Sequence, residues 1–351
     1  MSEVKVINLS QLDCDQFQKQ GFIIQKPGTE QLWLGVGSND DLAGARFFNN
    51  PFYAQDPVPF IPARLVACEV QEFLDWIGHY FLQSCKIQLI RSNDEQYLSD
   101  VENIIKLIHS VSGLKKLVAA TKSEYSFSNS IHPISQAKKL MELNGSLYGK
   151  WKDGVGVLGV SPEPLFVQHN STWSTTALAG TIKNDTSGYQ KKLLGDLKEK
   201  EEHQLVIDDI VDKLTLKTTQ IEVGNTSCVD FGNISHIKTN IMFSPIDCSS
   251  KNLINTLSPT AALGGFPQSL ALKYLKQSEY YSFDQENRLF GGVYGFQNDS
   301  EHFALVGIRN IIWNKSQVTI HSGSGIVGKS ESQKELTEIK NKKNIIESIF
   351  L

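Results

Sequence analysis

Strand-like runs that follow one another through short polar turns constrain this chain more than any other feature. Three of them, FGGVYGF, HFALVGIRNIIW and QVTIHS, come close to its end, and VGVLGVSPEPLFVQH followed by STWSTTALAGTIK forms a pair near the middle. Turns carrying Gly and Asn separate them. Further short strands are expected at VKVINL, GFIIQ, QLWLGVG, KKLVAATKSEYSF, QIEVG and ISHIKTNIMF. Helical periodicity is expected at VQEFLDWIGHYFLQ, over 97–112, at ISQAKKLMEL, from about Gln190 to Leu216, from about Gln268 to Lys276, and at the C-terminus. Strands in adjacent runs, rather than in regular alternation with helices, predict an α+β fold of antiparallel sheets with helices packed outside. No repeat, low-complexity tract or Pro/Ser linker divides the chain, so residues 1–351 are expected to form a single compact domain.

Composition removes several function classes. The formal net charge of -4 offers no basic excess to a nucleic acid. The first residues, MSEVKVINLSQLDCDQ, show no basic stretch followed by an apolar run, and no segment approaches the roughly 18 apolar residues of a membrane span. A cytoplasmic location is expected. Cys14, Cys68, Cys85, Cys228 and Cys248 are scattered and odd in number, with no C-x-x-C pair, which argues against a disulfide framework or a thiolate metal site.

The segment GSGIVGKS, 323–330, matches the phosphate-loop pattern G-x-x-x-x-G-K-[ST]. Its neighbourhood of strand then helix is acceptable, but its position is not. The 21 residues after Ser330 suffice for one helix and not for the parallel strands that such a domain adds afterwards. No later strand ends in an Asp to hold a metal. The following helix is expected to start at Ser332, with Ser332 and Glu335 spaced as a capping box.

Two helical segments place acids on their apolar stripes. In KEKEEHQLVIDDIVDKL, 198–214, a rotation of about 100° per residue brings Glu202 and His203 to within roughly 60° of Glu199, on the side of Val206, Ile210 and Leu214. Glu201 and Asp208 fall opposite. In KELTEIKNKKNIIESIF, 334–350, Glu335, Glu338 and Lys342 share a face with Ile339, Ile346, Ile349 and Phe350, while Glu331 and Lys340 lie outside it. A desolvated carboxylate is costly unless a cation pairs with it. Two Glu-x-x-Glu pairs therefore suggest a shared divalent ion, and Mg²⁺ suits few carboxylates with an anionic ligand. The alternative is that these acids are solvated helix ends.

The motifs SPEPLF (161–166), TALAGTIK (176–183), KEKEEHQLV (198–206), SHIKT (235–239), SPTAALGGFP (258–267), FGGVYGF (290–296), VGIRN (306–310) and GSGIVGKSESQKELTEIKNK (323–342) stand in one order along the chain. Together they resemble the chorismate-utilising enzymes: isochorismate and salicylate synthases, and the large components of anthranilate and aminodeoxychorismate synthases. The resemblance covers about 110–351, the expected catalytic region, and leaves 1–95 as a divergent N-terminal part of the sheets. It implies two large antiparallel β-sheets packed together, helices outside, and a chorismate site between them. It implies Mg²⁺ bound by Glu202 and Glu338, with Glu199 and Glu335 assisting. The turn Gly323-Ser324-Gly325 would offer backbone N–H groups to a substrate carboxylate. Gly180, His236, Thr239, Arg309 and Lys342 match substrate-binding positions. A lone strand Arg can equally be a structural ion pair, and a lone His a core residue.

Relatives differ in the nucleophile that adds to C2 of chorismate as the C4 hydroxyl leaves. In the water-using enzymes a Lys stands on the strand matching KKLVAAT, where this chain has Lys116 beside Lys115; the ammonia-using anthranilate type has Gln. The resemblance thus implies an isochorismate synthase in which Lys116 activates water and Glu163 protonates the leaving hydroxyl, serving quinone or siderophore synthesis. Ala179 stands where the aminodeoxychorismate type carries a Lys nucleophile. Thr121, Ser258 and Ala261 replace residues that are commonly Arg, His and Pro. An ammonia-using synthase, which would need a glutamine amidotransferase subunit, and a chorismate-binding module without turnover are the alternatives.

Overall fold

The computed structural model describes residues 4–37, 44–78, 85–277 and 288–350. Among them, two sheets carry the chain. The larger has 11 strands, and its central ladder runs Gln31–Val36, Gln20–Gln25, Ser146–Lys152, Val155–Ser161, Asn310–Trp313, Gln317–Val327, Lys116–Phe127. The smaller has 8, in the order Thr218–Phe231, Ile234–Pro245, Thr172–Lys183, Pro164–His169, His302–Val306, Val293–Gln297, Arg46–Asn50, Val58–Phe60. Pairing is antiparallel throughout these ladders, as the tight turns predict; a short parallel pair, Lys5–Val6 with Arg64–Glu69, sits at one edge. The first 95 residues supply strands to both sheets.

The sheets pack face to face. Phe22, Trp33 and Tyr148 of the larger meet Phe47, Phe296 and Phe303 of the smaller, and Trp33 stacks on Phe296 at 4.5 Å between ring centroids. At about 25 cal/mol per Å² of apolar surface, rings of this size dominate the attraction between the layers. Helix Leu197–Thr215 lays Val206, Ile210 and Leu214 on the outer face of the smaller sheet, against Ala177, Ile241 and Phe243. Helices Asp94–Ser110 and Ser332–Glu347 cover the larger sheet through Val101, Ile104, Leu336 and Ile339, which pack on Leu117, Ala119 and Ile326. The two acidic helices thus belong to different sheets.

Four expectations change. The run VGVLGVSPEPLFVQH is not one strand: Val155–Ser161 lies in the larger sheet, Pro164–His169 in the smaller, and Pro162-Glu163 is the crossing between them. HFALVGIRNIIW likewise breaks into His302–Val306 and Asn310–Trp313, so Arg309 sits on the return crossing rather than on a strand. The helix expected from about Gln190 to Leu216 is two, Tyr189–Gly195 and Leu197–Thr215, divided at Asp196, whose carboxylate caps the N–H groups of Lys198 and Glu199. The Ser332–Glu335 capping box does not form; Glu331 is the N-cap and Glu335 is buried. Part of the segment VQEFLDWIGHYFLQ falls outside the described residues, Val70–Gly78 being its helix. Among the described residues no helix is long and apolar enough to cross a membrane, and the five cysteines are free.

Candidate active site

Both sheet-to-sheet crossings end at one cleft. The N–H of Val306 donates to the carbonyl of Glu163 (3.0 Å), and that of Val160 to the carbonyl of Arg309 (3.1 Å), so the two crossings are fixed to each other's strands. Glu163, Gly180, Glu202, His236, Arg309, Gly323, Ser324, Gly325 and Lys342, nine residues singled out from the sequence, line this cleft. Its cavity volume is about 70 Å³.

Gly180 forms a bulge: register shifts between Ala179 and Thr181, and its φ of 76° is left-handed, where glycine carries no Cβ penalty. The bulge frees the Gly180 carbonyl, which lies 3.1 Å from His236 Nδ1. Arg309 Nη2 lies 3.0 Å from His236 Nε2. A guanidinium only donates, so Nε2 accepts and Nδ1 carries the proton of a neutral imidazole. Burial, then the charges of Arg309 and Lys342, hold His236 well below the ordinary histidine range. Arg309 has φ of 54°, a strained conformation for a residue with a side chain, and its guanidinium sits over Phe231. Its Nη1 is buried without a hydrogen-bond partner. Burial pushes this arginine down to about 10, against the pull of Glu338. A buried, unsatisfied guanidinium nitrogen in a cleft is a receptor for an anionic oxygen.

Glu163 is 3% exposed. Burial lifts its carboxyl to about 7, opposed by a hydrogen bond from the Thr260 hydroxyl (3.2 Å to Oε1) and by the charges of Lys116 and Lys342. Such a group holds or releases a proton near neutrality. Lys116 points inward from its strand and is fully buried, whereas Lys115 is exposed, so the strand's register answers which lysine faces the site. Lys116 Nζ lies 3.1 Å from Glu202 Oε1. Burial opposes ionisation of Glu202, and Lys116 and Lys198 outweigh it, holding that carboxyl at about 2.

Gly323, Ser324 and Gly325 are not a turn. They lie inside the strand Gln317–Val327, in register with Ala120, Ala119 and Val118. Glycine serves close approach here: a Cβ on Gly325 would overlap Glu202 and Lys116, and one on Gly323 would come within 2.8 Å of the Ala119 carbonyl. The phosphate-loop match dissolves with it, since Lys329 points away to Glu201 at 2.7 Å on the surface. Thr239 also departs from expectation. It does not line the cleft; its hydroxyl bonds His203 Nε2 and the Thr226 hydroxyl, both at 2.8 Å, behind the site.

The four glutamates converge from the two helices, and sequence reasoning missed what stands between them. Lys198 Nζ lies 3.2 Å from Glu199, 3.0 Å from Glu202 and 3.0 Å from Glu335, while Lys342 Nζ lies 2.5 Å from Glu338. Burial works against the Lys198 charge, but the carboxylates outweigh it and hold the group well above the ordinary lysine range. Burial lifts Glu199 to about 8 despite Lys198, and raises Glu335 as well, with Glu338 adding repulsion. Thr181 ties the cluster to the cleft: its N–H donates to Glu199 (2.9 Å) and its hydroxyl to Glu338 (3.1 Å). The i,i+4 spacing of Lys198 and Glu202 was the available signal for the first; none marked Thr181.

Among the described residues no three acids, imidazoles or thiols stand together as a ready-made metal site. The donor set nevertheless fits a hard dication. Three carboxylates, of Glu199, Glu202 and Glu335, surround a position that a cation already fills, Glu338 stands beside them on Lys342, and Glu335 Oε2 is buried with no hydrogen-bond partner.

A profile of the chorismate-binding enzymes matches residues 80–350. The chain belongs to that family. Isochorismate synthase MenF of Escherichia coli strain K12 is 27% identical over 237 residues, 65% of this chain and 54% of that protein. Anthranilate synthase component 1 of Neisseria meningitidis serogroup B is 24% identical over 296 residues, 78% of this chain and 58% of that protein. The chain spans about half the length of the curated relatives it matches. Among solved structures, E. coli MenF superposes with a TM-score of 0.83 at 19% identity, covering 98% of this chain and 93% of that one. Anthranilate synthase component I of Streptococcus pneumoniae TIGR4 gives 0.67 at 16%, covering 93% and 90%. This chorismate-binding enzyme therefore shares the two-sheet fold of both, and its motifs occupy the cleft between the sheets. Ala179 lines that cleft, so a methyl group stands where the covalent route would need an amine.

Proposed function

We propose that this chorismate-binding enzyme is a Mg²⁺-dependent isochorismate synthase. The observation that carries the reading is Glu163: a buried carboxyl lifted to about 7, on the crossing between the sheets, in a cleft also lined by Lys342 and Arg309, with Lys116 buried on Glu202 beside it. An acid able to donate at neutral pH beside a buried amine suits replacement of a hydroxyl on a dianionic ring.

One carboxylate of chorismate is read as docking on Arg309 Nη1, with His236 holding the guanidinium in place from its far side. Lys116 is read as the base that takes a proton from water as its oxygen bonds to C2. The ring double bonds shift, the C4–O bond breaks, and Glu163 protonates the departing hydroxyl, so one water enters and one leaves. Glu202, Glu338, Glu199 and Glu335 would hold Mg²⁺, which when bound supplies a positive charge to the second carboxylate. Gly323 and Gly325 keep that approach clear of side chains.

Incubating the purified protein with chorismate and Mg²⁺, with and without ammonia, tests the reading by product. Isochorismate without ammonia is the expected result. An amino-substituted product formed only with ammonia would transfer the protein to the class that needs a glutamine amidotransferase subunit. Chorismate binding without turnover would overturn the catalytic reading.

A further inference from the structure

Helix Leu197–Thr215 bears a second buried charged pair, two turns beyond Glu202 and outside the residues assigned above. Asp209 is 2% exposed, and Lys213 Nζ lies 2.7 Å from its Oδ2. Burial pushes the acid up and the lysine down, and their mutual attraction opposes both shifts. Burying such a pair gains little stability over apolar side chains of similar volume, so its value lies in what it positions.

What it touches is one loop and the helix end that leads into it, where Lys213 Nζ lies 3.5 Å from the Leu257 carbonyl. The N–H of Ala261 donates to Asp209 Oδ2 at 2.8 Å, and Lys213 Nζ donates to the Pro259 carbonyl at 2.8 Å, where Gln268 Nε2 also arrives at 2.9 Å. The two contacts bracket one residue, Thr260, which is 2% exposed and donates its hydroxyl to Glu163 Oε1. A proline at 261 would have no N–H to offer, so this hold requires a residue other than proline there.

We propose that the Asp209–Lys213 pair is a positioning device that clamps the peptide groups on either side of Thr260 and thereby holds the Thr260 hydroxyl on Glu163. This rests on the reading of Glu163 as general acid. A hydroxyl donated to the carboxylate favours the ionised form, so the clamp keeps the acid from becoming too weak to donate. The other charged groups facing Glu163 are Lys116 from its strand and Lys342 from the last helix; Glu202 and Arg309 line the same cleft.

The test compares Thr260→Val, which deletes the hydroxyl, with the double variant Asp209→Leu/Lys213→Met, which removes one charge of each sign and releases the loop. Side-chain ¹³C carboxyl NMR, with Glu163→Gln identifying the resonance, follows Glu163 in the resting protein and needs no turnover. An upward shift of about one pH unit in its midpoint is expected in both variants, the size of one weak hydrogen bond to a charged acceptor. With chorismate, the alkaline limb of the kcat profile moves upward by the same amount. Should the double variant fail to fold, Ala261→Pro, which deletes the clamped N–H while leaving both charges in place, carries the comparison. A midpoint that moves in Thr260→Val but stays in the released-loop variant, or in neither, overturns the clamp. A moved midpoint without turnover on chorismate leaves the clamp standing and overturns the enzymatic reading instead.

Discussion

Replacing Glu163 by Gln separates catalysis from stability in a way that the buried carboxyl makes calculable. Its ordinary value is 4.5 and its folded value about 7, so between these the folded protein keeps a proton that the unfolded chain has lost. Stability rises with pH only where the unfolded state binds more protons; here the folded state does, so this carboxyl's contribution falls as pH rises from 4.5 toward 7. Its cost is about 1 kcal/mol at pH 5 and about 3 kcal/mol at pH 8, from 1.36 kcal/mol per pKa unit. Glutamine has no such proton to lose. Relative to the parent, Glu163→Gln should therefore gain about 2–3 kcal/mol of unfolding free energy between pH 5 and pH 8, while kcat falls by about 10²–10⁴. Urea unfolding of both proteins at the two pH values measures the first, because every other titrating group cancels in the comparison. Equal pH dependence in the two proteins, or a variant that turns over chorismate at the parent rate, would refute the reasoning.

Lys116→Gln keeps a polar side chain but no proton acceptor of comparable strength; kcat for water addition should drop about 10²–10⁴-fold while chorismate affinity by calorimetry stays within a few-fold. Arg309→Lys cannot both reach His236 and present a second nitrogen, so kcat/KM should fall by about 10–100-fold, chiefly through KM; an unchanged KM would remove Arg309 from the substrate. Lys198→Met leaves three carboxylates, of buried Glu202 and Glu335 and half-buried Glu199, without their shared ammonium. The metal-free protein should lose about 3–5 kcal/mol of stability, and Mg²⁺, followed by calorimetry and by the unfolding midpoint, should bind more tightly than in the parent. Unchanged Mg²⁺ affinity would mean that the cluster does not hold the ion.

Much of the fold was written in local patterns. The acid-bearing stripes of the two helices faced inward as their 3.6-residue period required: Glu202 and Glu335 are buried, and Glu201 and Glu331 are exposed. What local pattern could not reveal was where a strand leaves its sheet. In VGVLGVSPEPLFVQH the prolines on either side of Glu163 were the available sign of a break, whereas nothing in the alternation of HFALVGIRNIIW marks Arg309 as a crossing, because apolar residues surround it and either sheet would bury them. The crossings matter because a residue there is anchored from both sides yet belongs to neither ladder, and so can direct a polar side chain between the layers. The glycines of GSGIV misled for a related reason: their spacing fits a turn that cradles an anion, whereas here they thin a strand beneath Glu202 and Lys116.

Two of the three departures, Thr121 and Ala261, are met by charged neighbours. Thr121, at a position commonly Arg, is buried and donates to Asp94, and the charge at that place comes from Lys343, 6% exposed, which lies 2.7 Å from Asp94 and 3.0 Å from the Ser123 hydroxyl. Ala261, at a position commonly Pro, gains the N–H that Asp209 grips. In both places a charged pair from other elements meets the residue: Asp94 of the Asp94–Lys343 pair at Thr121, and Asp209 of the Asp209–Lys213 pair at Ala261. An unpaired buried ion would cost several kcal/mol, so the members of each pair depend on each other: Lys343 is tolerable only with Asp94, and Asp209 only with Lys213. Reverting Ala261 to Pro alone should therefore harm the protein, whereas reverting it together with Asp209→Leu and Lys213→Met should recover part of the loss. That coupling, rather than the motif letters themselves, is what keeps Glu163 and its Thr260 partner in place in this chain.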